Sequence, residues 1–128
     1  MKILLDTHTV LWWINEYGKL SKKAKFVLMD EENELYLSIA SLWEIAIKIS
    51  LNKLTNLNGG VDTLLKSLEM IPIELIPIQL QYIKFLESLP FIHRDPFDRL
   101  LIATAKMEDM TILTADKNLC LYNVLTIW

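Results

Sequence analysis

Asp6, Glu44, Asp98 and Asp116 stand where expected strands give way to expected helices. In an open parallel α/β sheet those junctions gather along one edge, outside the carboxyl ends of the strands, where such sheets bind ligands. Four carboxylates gathered there repel one another. A hard divalent cation relieves the repulsion, and Mg²⁺ or Mn²⁺ prefers oxygen ligands. These residue types at these places point to metal-assisted phosphoryl chemistry.

Each acid also has an ordinary explanation. Asp6 can serve as the N-cap of the first helix. Ser41-Leu42-Trp43-Glu44 is a capping-box pattern, with Glu44 reaching back to a backbone N–H. Asp98 falls in the first turn after Asp95-Pro96, where the helix dipole favours a carboxylate. Asp116 follows a strand and can cap a turn. Capping alone would not select acids over Ser, Thr and Asn at all four junctions. A two-metal site would, because carboxylates both bind and bridge the ions.

The elements that must position these acids alternate between strand and helix. Lys2 to Leu5 reads as a short buried strand, Asp6 to Thr9 as a turn and cap, and Val10 to Asn15 as a helix. Ser21 caps a second helix through about Met29, with Ala24, Val27 and Leu28 on one face. Glu34 to Ser38 is the second strand. Ser41 opens a helix to about Leu51, where Leu42, Ile45, Ala46 and Ile49 recur at helical spacing. Asn56 to Gly60 is the clearest loop. Val61 to Glu69 is a helix, Ile71 to Leu75 a strand, and Pro77 to about Ser88 a helix. Pro90 to Arg94 links to a long helix, capped by Asp95-Pro96 and running to about Met107. Thr111 to Thr114 is a strand, Asp116 to Leu119 a helical turn, and Val124 to Ile127 the last strand. This alternation implies α/β architecture with a parallel sheet and right-handed crossovers.

With 128 residues, one domain over 1–128 is expected. A hydrophobic share of 52% supplies a core, and the excess of Leu and Ile suits strands buried on both faces. With 3 Gly and 4 Pro, long irregular segments are not expected. The net charge of -3 excludes a general polyanion-binding footprint, although acids committed to metal account for part of it. Cys120, the single cysteine, rules out an internal disulfide and fits a reducing cytoplasm; its apolar neighbours suggest a buried core thiol. Met1 to Leu5 running straight into Asp6 reads as a strand rather than a signal peptide. No apolar run approaches bilayer-spanning length, so no membrane role is expected.

The order Asp6, Glu44, Asp98, Asp116 resembles the acidic quartet of PIN-domain ribonucleases. Leu4-Leu5-Asp6-Thr7-His8 is similar to the family's opening strand, and Ser38-Ile39-Ala40-Ser41-Leu42-Trp43-Glu44-Ile45 to its first acidic helix. His93-Arg94-Asp95-Pro96-Phe97-Asp98-Arg99-Leu100-Leu101-Ile102-Ala103 resembles the third motif and Leu113-Thr114-Ala115-Asp116 the fourth. The similarity spans essentially the whole chain and is strongest to VapC-type toxins of bacterial toxin–antitoxin pairs. The resemblance implies a PIN-like three-layer α/β/α sandwich with a central parallel sheet of four to five strands. It further implies a Mg²⁺- or Mn²⁺-dependent endoribonuclease. In that reading Asp6 and Asp98 are direct metal ligands, Glu44 and Asp116 bind directly or through water, and the Thr114 hydroxyl supports the site. Thr7 and Arg99 count as further supporting residues. A homodimer and a small antitoxin partner are implied too.

Other residues carry weaker signals. His8 reads as a helix-start residue rather than a ligand. Asp95 reads as a cap close enough to Asp98 to join its electrostatics. Arg94 and Arg99 can contact phosphates, but Arg99 can equally pair with Asp95, and Lys48 has the same ambiguity with Glu44. Lys19, Lys22, Lys23 and Lys25 read as a solvated helix face. Of the adjacent Trp12 and Trp13, one should face the core and the other form an exposed patch for a partner. Two rival functions remain open. One is a metal-dependent phosphohydrolase of small molecules, although His8 stands where aspartyl-phosphate enzymes carry a second Asp. The other is a catalytically silent interaction module on the same fold.

Overall fold

The computed structural model describes residues 1–54 and 57–128. Five strands, β1 (Lys2–Leu5), β2 (Glu34–Ser38), β3 (Ile73–Ile76), β4 (Thr111–Leu113) and β5 (Thr126–Ile127), form one sheet in the order β3-β2-β1-β4-β5. Every pairing is parallel. The central strand sets the register, with Leu4 opposite Tyr36 on one side and Ile112 on the other.

Alternation along β1 explains the layering. Successive side chains of a strand point to opposite faces. Ile3 and Leu5 enter one core with Val10 and Leu11 of α1 (Thr7–Asn15), Val27 and Leu28 of α2 (Lys22–Met29), Ile45 of α3 (Ile39–Ser50) and Leu64 of α4 (Gly60–Glu69). Leu4 enters the other with Tyr82 of α5 (Leu80–Leu86) and Leu101 and Ile102 of α6 (Pro96–Glu108). Ile3, Leu4 and Leu5 are fully buried, as a strand covered on both faces requires. The molecule is a three-layer α/β/α sandwich. No helix among the described residues is long and apolar enough to cross a membrane.

The chain extends the sheet outward from β1 to β3, then returns to place β4 on the other side of β1. The topological switch point thus lies between β1 and β4, where open sheets form their ligand crevice.

Several boundaries differ from the sequence expectations. α1 begins at Thr7 because Asp6 already occupies the N-cap, and α3 begins at Ile39 because Ser38 is the cap, its hydroxyl accepting from the Ala40 amide at 3.1 Å. β3 runs to Ile76, since a residue before proline favours extended backbone, and α5 waits until Leu80. The turn expected at Asp116 to Leu119 forms, with the Leu119 amide donating to the Asp116 carbonyl at 3.3 Å and the Asn118 amide to the Asp116 carboxylate at 2.8 Å, and a 3₁₀ turn over Leu119–Tyr122 follows it. In the Asn56 to Gly60 loop, Asn56 lies outside the described residues. Gly59 adopts φ 84°, and a Cβ there would meet the Thr63 hydroxyl at 1.9 Å.

Two expectations about side chains fail. Cys120 is exposed, with its Sγ 3.2 Å from Thr126 Oγ1, because the 3₁₀ turn directs Leu119 and Tyr122 inward instead. Trp12 and Trp13 are both half-buried against the same core, and Trp12 meets Trp128 with ring centroids 5.6 Å apart. The exposed tryptophan is Trp43, edge-on to Phe97 at 5.1 Å.

Candidate active site

β1 ends at Leu5 and delivers Asp6 to the switch point. Asp6 holds the N-cap position of α1, yet its carboxylate makes no capping bond. Instead Oδ2 accepts from Thr114 Oγ1 at 2.6 Å, across the crevice from the end of β4. Thr114 Oγ1 also accepts from the Asp116 amide at 3.0 Å, so one hydroxyl fixes both the acid after β1 and the turn after β4. Asp6 is only 5% exposed. Burial holds its carboxyl above the usual range; the Thr114 bond and His8 oppose this, and the Glu44 charge adds to it.

Glu44 sits on the second turn of α3, since the helix begins at Ile39. The capping box with Ser41 is therefore not formed. Glu44 Oε1 accepts from Thr7 Oγ1 at 2.7 Å, which itself lies 3.0 Å from Ser41 Oγ. Glu44 Oε2 pairs with Lys48 Nζ at 2.9 Å, one helical turn on. That resolves the ambiguity over Lys48 toward the ion pair.

Asp98 lies in the first turn of α6. Asp95 caps that helix, accepting from the Phe97 and Asp98 amides at 2.9 and 3.3 Å, with Pro96 at the start. Asp98 is half-buried, and its carboxyl is pushed up to about 7. Burial is the main cause; the charges of Asp95 and Asp6 follow, a bond from His93 opposes them, and Asp116 adds a smaller push. Asp6 thus feels the charge of Glu44, and Asp98 the charges of Asp6 and Asp116, although the four come from separate parts of the chain.

Arg99 is placed differently from expectation. It forms no side-chain pair with Asp95 and does not face the acids. Its Nη1 donates to the Pro90 carbonyl at 2.9 Å and to Tyr122 Oη at 3.3 Å, and its Nη2 to the Leu89 carbonyl at 3.3 Å. Three acceptors close at hand outcompete a carboxylate already committed to capping. The residue that the spacing of the acids did not single out is His93, whose Nε2 lies 3.2 Å from Asp98 Oδ2. His8 is exposed, with its ring against Trp12 at 5.8 Å, and Lys19 pairs with Glu16 at 2.7 Å.

Asp6 and Asp116 open onto a cleft of about 280 Å³ with His8 and Trp12. Glu44 opens onto a second of about 400 Å³ with Lys48, Lys53 and Arg94 on its walls. Larger clefts of about 520 and 530 Å³, by Met29 and Met70 and along β2 and β3, hold none of the four acids, so size does not mark the chemistry.

The donor set suits Mg²⁺ or Mn²⁺. Every acidic contributor is a hard oxygen ligand. Two of the carboxyls are held above their ordinary range by burial and like charge, a strain that a cation relieves. Among the described residues no group of three or more Asp, Glu, His or Cys side chains is gathered closely enough to hold a metal ion. Mg²⁺ does not need such a group, since it keeps several waters and uses one or two carboxylates.

No curated protein matches the sequence significantly. Solved structures are similar in fold. VapBC2 from Rickettsia felis, bound to a DNA fragment from its promoter, aligns with TM-score 0.75 and 15% identity over 99% of this chain and 98% of that one. FitAcB from Neisseria gonorrhoeae aligns with TM-score 0.69 and 18% identity over 98% and 96%. VapBC-1 from nontypeable Haemophilus influenzae gives 0.66 and 12% over 99% and 97%. The sequence pattern of the PIN domain matches residues 3–124. On that match, which takes in all four acids and nearly the whole chain, the protein belongs to the PIN domain family.

Proposed function

We propose that this chain is a Mg²⁺- or Mn²⁺-dependent endoribonuclease, the toxin of a toxin–antitoxin pair, acting as a single domain in the cytoplasm. The observation that supports the reading is the charge coupling of Asp6 to Glu44 and of Asp98 to Asp6 and Asp116 in a PIN fold, with protein partners on the Asp6, Glu44 and Asp98 carboxyls. Asp6 and Asp98 would hold the ion directly, Glu44 and Asp116 directly or through water. A bound ion would make its water easier to deprotonate and would offset charge building on the scissile phosphate. The chain's own residues orient and tune that chemistry. Thr114 sets the plane of the Asp6 carboxylate, and Thr7 that of Glu44. A cation held by Asp98 would take the place of the proton that burial and the neighbouring charges favour there. The fold likeness to VapBC and FitAB complexes supports a small antitoxin as partner. A homodimer is part of the same reading.

The test is incubation of partner-free protein with total RNA, with Mn²⁺, Mg²⁺ or EDTA, beside Asp6→Asn. Discrete products that need both metal and Asp6 are expected. Folded, Mn²⁺-bound protein that leaves RNA intact but hydrolyses small phosphate esters would shift the function to the phosphohydrolase reading. Protein that binds no metal would shift it to the silent module.

A further inference from the structure

Tyr122 is 3% exposed, and its Oη has more partners than protons. Arg99 Nη1 lies 3.3 Å away, the His93 amide 3.0 Å, His93 Nδ1 2.5 Å and the His93 carbonyl 3.5 Å. A phenol has one proton and accepts through its oxygen lone pairs, whereas a guanidinium and a backbone amide can only donate. Arg99 and the His93 amide therefore occupy the acceptor side of the oxygen. The single phenol proton goes to the much nearer Nδ1 rather than to the carbonyl. A ring whose Nδ1 accepts carries its proton on Nε2, and Nε2 faces Asp98 Oδ2 at 3.2 Å.

We propose that His93 is a positioning residue for Asp98, its Nε2–H tautomer imposed by Tyr122 and its loop held in place by Arg99. The proposal rests on the reading of Asp98 as an ion-holding group. Leu89 to Arg94 lies between α5 and α6 outside regular structure, and Arg99 pins it through the Leu89 and Pro90 carbonyls. His93 thereby does for Asp98 what Thr114 does for Asp6 and Thr7 for Glu44: it fixes one carboxylate oxygen and with it the plane of the group. A nitrogen that carries a proton donates to the carboxylate and does not ligate the ion. Hydrogen bonds of this kind to liganding groups are worth about 10- to 100-fold in metal affinity.

The experiment uses the full chain and three variants, His93→Ala, His93→Gln and Tyr122→Phe, each checked for folding by thermal melt. Long-range ¹H–¹⁵N spectra of histidine-labelled protein read the tautomer directly, and with only two histidines, His8 and His93, the variants assign the signals. The wild type should show His93 as Nε2–H, and Tyr122→Phe should lose that fixed form. Calorimetric titration with Mn²⁺ should show His93→Ala weakened by about 10-fold or more. His93→Gln, whose amide can still donate toward Asp98, should recover most of it. An Nδ1–H ring, or His93→Ala binding Mn²⁺ like the wild type, overturns the proposal. So does His93→Gln as weak as His93→Ala, which would make the ring nitrogen itself the ligand. Wild-type protein that binds Mn²⁺ yet cuts no RNA removes the nuclease reading and, with the variant pattern above, leaves the role of His93 standing.

Discussion

Thr114 and Asp6 lie 108 positions apart in sequence and 2.6 Å apart in space, and their bond spans the switch point between β4 and β1. The same Thr114 oxygen accepts from the Asp116 amide. Removing the hydroxyl should therefore disturb two acids together. A hydrogen bond to a charged group contributes about 1.5–3 kcal/mol, and its loss leaves a buried carboxylate short of a partner. Thr114→Val should lower stability by roughly that amount in urea melts at pH 7.5 and weaken Mn²⁺ binding. Thr114→Ser keeps the hydroxyl and should restore the binding. A valine variant with unchanged Mn²⁺ affinity would show that the bond serves folding alone.

Asp98→Asn should separate stability from activity. Asp98 is crowded by Asp95, Asp6 and Asp116 and is half-buried. Removing its charge relieves repulsion in the metal-free protein. The variant should melt at or above the wild-type temperature in EDTA, lose most of its stabilisation by Mn²⁺, and cleave no RNA. A folded Asp98→Asn protein with wild-type cleavage would remove Asp98 from the reacting centre. The expected trade follows from a site held together against its own electrostatics.

Where a cap is strong, the sequence places the helix. Ser21 and Asp95-Pro96 start α2 and α6 where their side chains say they should, with bonds to the Ala24 and Phe97 amides. Where two cap signals compete, the pattern misleads. Ser41 and Glu44 match a capping box, yet Ser38 is the cap, and Glu44 is freed to meet Thr7. Asp6, Asp98 and Asp116 stand at junctions, whereas Glu44 lies a turn inside α3. Their donors are less legible, since Thr7 and Thr114 act across 37 and 108 positions. Arg99 shows the limit most plainly. Four residues after Asp95, it invites an ion pair, but only the folded chain brings the Leu89 and Pro90 carbonyls within its reach. Likewise nothing local links His93 to Tyr122, 29 positions away.

The pH dependence has a definite sign. Asp98 in the folded protein keeps its proton up to about 7, against an ordinary value of 3.8, and Asp6 is shifted in the same direction. Between those values the folded state binds more protons than the unfolded state, so this contribution to stability falls as pH rises and levels off above about 7. In EDTA, the stability of the wild type relative to Asp98→Asn should decline from pH 4 to pH 7. Saturating Mg²⁺ should cancel the decline, because the ion replaces the proton. Its affinity should rise with pH across that range and then flatten. A wild-type minus variant difference that is flat with pH would show that Asp98 is not the group that titrates.

Lys48 pairs with a site acid of its own helix, 2.9 Å from Glu44 Oε2. Glu44 is only 6% exposed, and this pair and the Thr7 bond are the partners its carboxyl has among the described residues. A bound divalent ion would partner the same carboxyl and be repelled by the ammonium. Lys48→Met should therefore act in opposite directions on the two states. The metal-free variant should melt lower than the wild type, because removing the half-buried lysine takes the paired cation from a buried glutamate. Mn²⁺ should then bind a few-fold tighter and raise the melting temperature by more than it does in the wild type. Melting curves at increasing Mn²⁺, with calorimetry alongside, measure both effects. Equal Mn²⁺ stabilisation of the two proteins would place Glu44 outside the field of the ion and restrict Lys48 to bracing α3.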